Sequence, residues 1–134
     1  MIKNKYYFIA DTHLGVPNYE ESLKREKKLV RFLLEAEKDA KAIYLMGDIF
    51  DFWHEYKYVV PKYYVRLLGT LALIVDRGTK VYFFTGNHDQ WIRDYFQKEI
   101  GMIVCTKEIV QTIEGKTFYL AHGDGLDKTD KIYL

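Results

Sequence analysis

Four short apolar runs in this chain each end on residues that can hold a metal ion. Tyr6-Tyr7-Phe8-Ile9-Ala10 leads into Asp11-Thr12-His13, and Ala42-Ile43-Tyr44-Leu45-Met46 leads into Gly47-Asp48-Ile49-Phe50-Asp51. Val81 to Thr85 leads into Gly86-Asn87-His88-Asp89, and Thr117 to Ala121 into His122-Gly123-Asp124. Runs of this length and composition read as strands. Such endings constrain the fold, because their polar side chains meet only where strand ends lie together, along the edge at which open α/β sheets place their reaction sites.

A chain of 134 residues holds one domain with a modest core. With 49% hydrophobic and 29% charged residues, the composition is that of an ordinary globular protein, not a disordered or fibrous one. The net charge of +1 gives no general attraction for nucleic acid, and the local basic cluster Lys24, Arg25, Lys27 and Lys28 reads as the solvated face of a helix. A single cysteine, Cys105, cannot close an intramolecular disulfide, so a reducing compartment and a small core residue are expected. Met1-Ile2-Lys3-Asn4-Lys5 leaves no room for a signal peptide, and the apolar stretch Val65 to Val75 falls far short of the roughly 20 residues a membrane helix needs. A cytoplasmic protein is the expectation.

Strand and helix patterns alternate with short connections, which argues for parallel βαβ units. The first strand is expected near Tyr6 to Ala10, followed by a helix from Glu20 to Asp39 with Asn18 and Glu21 placed as a capping pair. After the second strand, the aromatic connection Phe50 to Tyr58 leads through Pro61 to a helix over Lys62 to Asp76, stopped by Gly78. A third strand over Val81 to Thr85 and a short helix from Asp89 to Lys98 come next. Glu108 to Ile113 and Lys116 to Ala121 then flank Glu114-Gly115 as an antiparallel hairpin. Phe50, Phe52, Trp53, Tyr56 and Tyr58 read as partly core, with a lipid-facing role for some of them as the second reading.

Asp11 and His13 lie two residues apart, so on extended backbone they point the same way and can grip one cation together. Asp48 follows a glycine, and its two oxygens can bridge two ions. Asn87 adds an amide oxygen and His122 an imidazole. This mixed oxygen and nitrogen set suits manganese, iron, zinc or magnesium, and the lack of thiolate disfavours a structural zinc. Two metals about 3.5 to 4 Å apart are the usual equipment for phosphoester hydrolysis. His88, followed by Asp89, is placed to act as a general acid on the leaving group. Taken singly, each of these blocks could be a turn with a capping carboxylate; their joint occurrence at strand ends favours the metal site. His54 belongs to no such block and reads as a surface or loop residue.

These blocks resemble the calcineurin-like metallophosphoesterase superfamily, whose pattern runs Asp-x-His, Gly-Asp-x-x-Asp, Gly-Asn-His-Asp or Glu, His, and Gly-His-x-His. The chain matches the first four as Asp11 to His13, Gly47 to Asp51, Gly86 to Asp89 and His122. Ile9 to Gly15, Gly47 to Trp53 and His122 to Leu126 are similar to the UDP-2,3-diacylglucosamine diphosphatase family, which cleaves a lipid-bearing UDP-sugar in lipid A synthesis. The resemblance implies an α/β metallophosphoesterase sheet with flanking helices, the N-terminal portion of a four-layer α/β/β/α fold. It implies two divalent cations, manganese first: Asp11, His13 and Asp48 on one, Asp48, Asn87 and His122 on the other. Asp51 and Asp89 would support the ligands, His88 would act as acid, and Asn87 and Asp130 would contact substrate.

The chain departs from that family in two places. His88 stands where members of the lipid A family carry arginine, which keeps a nucleotide or small-molecule phosphodiesterase or phosphatase open as the alternative. No Gly-His-x-His occurs, since the histidines are His13, His54, His88 and His122. The expectation is therefore a single metallophosphoesterase domain over residues 1–134, truncated at its C-terminal end, with a catalytically inactive scaffold as a third reading. A small phosphoester or lipid-linked UDP-sugar as partner, peripheral contact with the inner membrane, self-association through an exposed sheet edge and no nucleic acid complete the expectations.

Overall fold

The computed structural model describes residues 2–86 and 91–122. Four strands, β1 (Lys5–Ile9), β2 (Ala40–Leu45), β3 (Lys80–Phe84) and β4 (Ile103–Cys105), form one parallel sheet in sequence order. Helix α1 (Tyr19–Glu37) joins the first two strands and α2 (Val65–Asp76) the next two, while a π-helical turn (Phe96–Ile100) precedes β4. With strands laid down in order and right-handed crossovers, every connection falls on one face of the sheet. Alternation along the strands agrees. Ile43, Leu45, Val81 and Phe83 share a core with Leu29, Leu33, Leu67, Leu71 and Ile74 of the helices.

The opposite face takes the hairpin, β5 (Ile109–Ile113) and β6 (Lys116–Leu120), so the layers run helix, sheet, hairpin. Ala42, Tyr44, Phe84, Ile113 and Leu120 form this second core. Phe8, Tyr44 and Tyr82 sit at paired positions on three neighbouring strands, and their rings stack at 4.7 Å with interplanar angles of 10° and 8°. That separation matches the strand spacing of about 4.7–4.9 Å, so the pleat itself builds the ladder. The Tyr44 hydroxyl donates to Gln111 Oε1 of the hairpin, and burial pushes its pKa up to about 12. Cys105 packs half-buried against this core, where burial raises its thiol pKa, in keeping with a packing role.

The sequence signals locate most elements to within a few residues. Asn18 Oδ1 accepts the Glu21 N–H at 2.9 Å, as the capping pair predicts. Glu114 and Gly115 both take left-handed backbone, the requirement of a two-residue hairpin turn. Helix α2 starts at Val65, later than Lys62, because Tyr64 is left-handed and offers no side-chain cap. Its Leu67 N–H is satisfied instead by the buried carboxylate of Glu26, on α1, at 3.0 Å. Of the predicted helix from Asp89 to Lys98, residues 89 and 90 lie outside the described part, residues 91–94 are not helical, and the helical structure is the short π turn Phe96–Ile100. No helix among the described residues is long and apolar enough to cross a membrane.

The long aromatic connection is anchored by Glu55, which is buried beside the fully enclosed Trp53. Glu55 Oε2 accepts the Asp94 and Tyr95 N–H groups at 2.8 and 2.9 Å, and Oε1 accepts from Trp53 Nε1 at 3.3 Å. One carboxylate thus ties the 51–58 connection to the segment entering the π turn. Removing it leaves the buried Trp53 N–H and two part-buried backbone N–H groups unpaired, so Glu55→Ala should lower urea-measured stability by about 2–3 kcal/mol. Glu55→Gln, which keeps one acceptor, should lose less; equal stability of the alanine variant and the parent would contradict this role.

Candidate metal centre

The ends of β1 and β2 do not separate where the strands stop. Met46 N–H donates to Ile9 O at 2.7 Å, Asp11 N–H to Gly47 O at 3.1 Å, His13 N–H to Asp48 O at 3.0 Å and Leu14 N–H to Ile49 O at 2.9 Å. Asp51 N–H returns to Leu14 O at 2.9 Å, and Thr12 Oγ1 donates to Ile49 O at 2.7 Å. The two ligand loops are therefore zipped together by their own backbone. Within them Asp11, His13 and Asp48 take left-handed conformations, with φ of 56°, 44° and 51°. Non-glycine residues rarely do so, and such strain concentrates at functional sites. The extended-backbone reading of Asp11 and His13 needs this correction: the turn, not a strand alternation, brings them together.

Asp11, His13 and Asp48 each offer a ligand atom within 4.8 Å of the others. Asp48 is the centre of the group and its most buried member. Its Oδ2 lies 3.8 Å from His13 Nε2 and 3.2 Å from His122 Nε2. Each imidazole is oriented from behind: His13 Nδ1 lies 3.3 Å from Asp51 Oδ1, and His122 Nδ1 lies 2.8 Å from the Met46 carbonyl oxygen. A carbonyl accepts only, so His122 carries its proton on Nδ1, leaving the Nε2 lone pair aimed at Asp48. Asp51 imposes the same tautomer on His13. This is the arrangement by which outer partners prepare histidines for a cation, and the donor set fits a divalent ion of intermediate hardness.

Two glycines make room for this convergence. A Cβ on Gly47 would meet His122 Nδ1 at 2.4 Å, and one on Gly86 would meet Asp48 Oδ1 at 2.2 Å. The motif glycines are thus required by close approach. Of the residues expected at the site, Asp11, His13, Asp48, Asp51 and His122 come together; Asn87, His88, Asp89 and Asp130 lie outside the described residues. His54 is not a member of the metal-type group and packs instead in a row of rings with Phe52, Tyr56 and Trp91.

Arg25 belongs to no motif, and its place among Lys24, Lys27 and Lys28 predicts a solvated helix face. Lys24, Lys27 and Lys28 are exposed, but Arg25 turns inward. Its Nε donates to Thr12 O at 3.3 Å, and its Nη2 donates to His13 O at 2.8 Å and to the Val16 carbonyl. It thereby grips the strained Asp11 to His13 turn through main-chain oxygens, which nothing in a motif reports. Loss of such an outer support typically costs about 10- to 100-fold in metal affinity. Arg25→Ala should weaken manganese binding, measured by calorimetry, by at least about tenfold, while Lys24→Ala leaves it unchanged. Equal affinities in the two variants would contradict the assignment.

The sequence as a whole matches the Calcineurin-like phosphoesterase family over residues 5–134. It is 45% identical to a UDP-2,3-diacylglucosamine hydrolase of Porphyromonas gingivalis, covering 92% of this chain and 47% of that protein. A UDP-2,3-diacylglucosamine hydrolase of Proteus mirabilis is 36% identical, over 94% of this chain and 50% of its own length. The chain thus spans about half the length of the curated relatives it matches. A crystal structure of a protein of unknown function from Aquifex aeolicus shares the fold with a TM-score of 0.56 and 22% identity, covering 87% of this chain and 59% of that one. With the matched residues spanning nearly its whole length, the chain belongs to the calcineurin-like phosphoesterase family.

Proposed function

We propose that this site hydrolyses the pyrophosphate of a lipid-linked UDP-sugar, UDP-2,3-diacylglucosamine, using two divalent cations that share Asp48. The observation that carries the reading is the pair of imidazoles: His13 and His122 each engage Nδ1 elsewhere and turn Nε2 toward the same carboxylate. The relatives' names supply the substrate. Asp11, His13 and Asp48 would hold one cation, and Asp48, Asn87 and His122 the other. Manganese is the leading choice for this mixed set without thiolate, with iron, zinc and magnesium behind it. When bound, such ions neutralise phosphate charge and bring the pKa of a water near neutrality.

The chain's own residues do the rest. Asp51 and the Met46 carbonyl fix the two rings, so the ligand lone pairs need no reorganisation. Water oxygen would join one phosphorus and lose its proton to solvent, the bridging P–O bond would break, and His88, with Asp89 as its expected supporting carboxylate, would give a proton to the departing phosphate. UMP and a diacylglucosamine 1-phosphate result. Asp130 would face the sugar headgroup. Acting on such a substrate, the protein would work in the cytoplasm, in peripheral contact with the inner membrane. A nucleotide phosphodiesterase is the second reading, favoured by histidine rather than arginine at position 88.

The test is product analysis with manganese present. UMP and the lipid phosphate should appear in equal amounts, and His88→Ala should slow their release by about 10²- to 10⁴-fold with manganese affinity unchanged. Cleavage of nucleotide diesters with the UDP-sugar untouched would establish the second reading. Failure to turn over any phosphoester with metal bound would leave a binding scaffold.

A further inference from the structure

Beside the metal centre lies a cavity of about 320 Å³ between the start of α1 and the 51–64 connection. Asp51 forms part of its wall, so the cavity adjoins the carboxylate that orients His13. The rings of Tyr19, Phe52 and Tyr63 stand around it, all partly solvent-exposed, with Tyr19 and Tyr63 paired at 5.3 Å between centroids. Glu26 also lines it, although this residue is only 3% exposed. Glu26 Oε2 accepts the Leu67 N–H; that is the one hydrogen bond its carboxylate makes among the described residues. Oε1 is therefore left for whatever fills the cavity.

We propose that this cavity is the uracil site, with Glu26 Oε1 accepting the N3–H of the base and the aromatic rings packing on its faces. The inference rests on the UDP-sugar reading of the neighbouring centre. Two physical constraints select the occupant. A carboxylate oxygen open to the cavity would lose its hydration without replacement if set against a hydrocarbon chain, which disfavours an acyl chain here. A planar ring with apolar faces and an edge N–H satisfies both the walls and the carboxylate, and a hydrogen bond to a charged acceptor is among the stronger ones. The connection from Asp51 to the cavity gives the pyrophosphate a short path to the metal ligands.

Titration of the full chain with UMP and 3-methyl-UMP, in the presence of manganese, tests this directly. UMP should bind at least about tenfold tighter, since the methyl group removes the donor and leaves the carboxylate unpaired. Tyr63→Ala, on the exposed rim, should weaken UMP about tenfold by loss of stacking and leave inorganic phosphate binding unchanged. Glu26→Gln keeps an acceptor for Leu67 and should weaken UMP with phosphate binding unchanged. Equal binding of UMP and 3-methyl-UMP, or no effect of Tyr63→Ala, overturns the site whether or not Glu26→Gln folds. Hydrolysis of the UDP-sugar is scored separately. Cleavage without base preference overturns the uracil site alone, and base preference without cleavage overturns the proposed activity alone.

Discussion

The backbone pairing between residues 9–14 and 46–51 holds the ligands in place. Three left-handed non-glycine residues in so short a stretch carry a conformational cost of roughly 1–3 kcal/mol each. Isolated loops would relax out of that geometry. Here each loop is the other's hydrogen-bond partner, Arg25 binds the carbonyls that face outward, and β1 and β2 beneath fix the register. The strain is thus borne by the sheet, and the carboxylates and imidazoles are presented before any ion arrives.

The second layer matters as much as the first. His122 follows directly from β6, so its approach to Asp48 depends on how the hairpin docks on the sheet. The ladder of Phe8, Tyr44 and Tyr82, with the Tyr44 hydroxyl on Gln111, sets that docking from the sheet side. Gly47 then lets the imidazole sit against the β2 loop. The site is therefore built between two sheets and supported by the helical core on the far side, where Glu26 and Glu55 replace local caps with long-range carboxylates.

Much of this was legible in the sequence because it is local. Short apolar runs ending in Asp, His and Gly report both the strands and the ligands they deliver, and Asn18 with Glu21, or Glu114 with Gly115, report a cap and a turn. What escaped is what depends on distant partners. Arg25 looks like one more solvated cation until the loop it grips is in place. The late start of α2 follows from Tyr64 and from Glu26, which comes from a different helix. The helices' confinement to one face follows from strand order, which the βαβ pattern alone leaves open.

In the proposed function Asp48 would serve two cation positions. Counting manganese ions per chain by native mass spectrometry measures this most directly. Two ions are expected on the parent chain, one on Asp11→Ala and none on Asp48→Ala, because only the last substitution removes a ligand common to both positions. An Asp48→Ala protein that still holds one ion at undiminished affinity would contradict it.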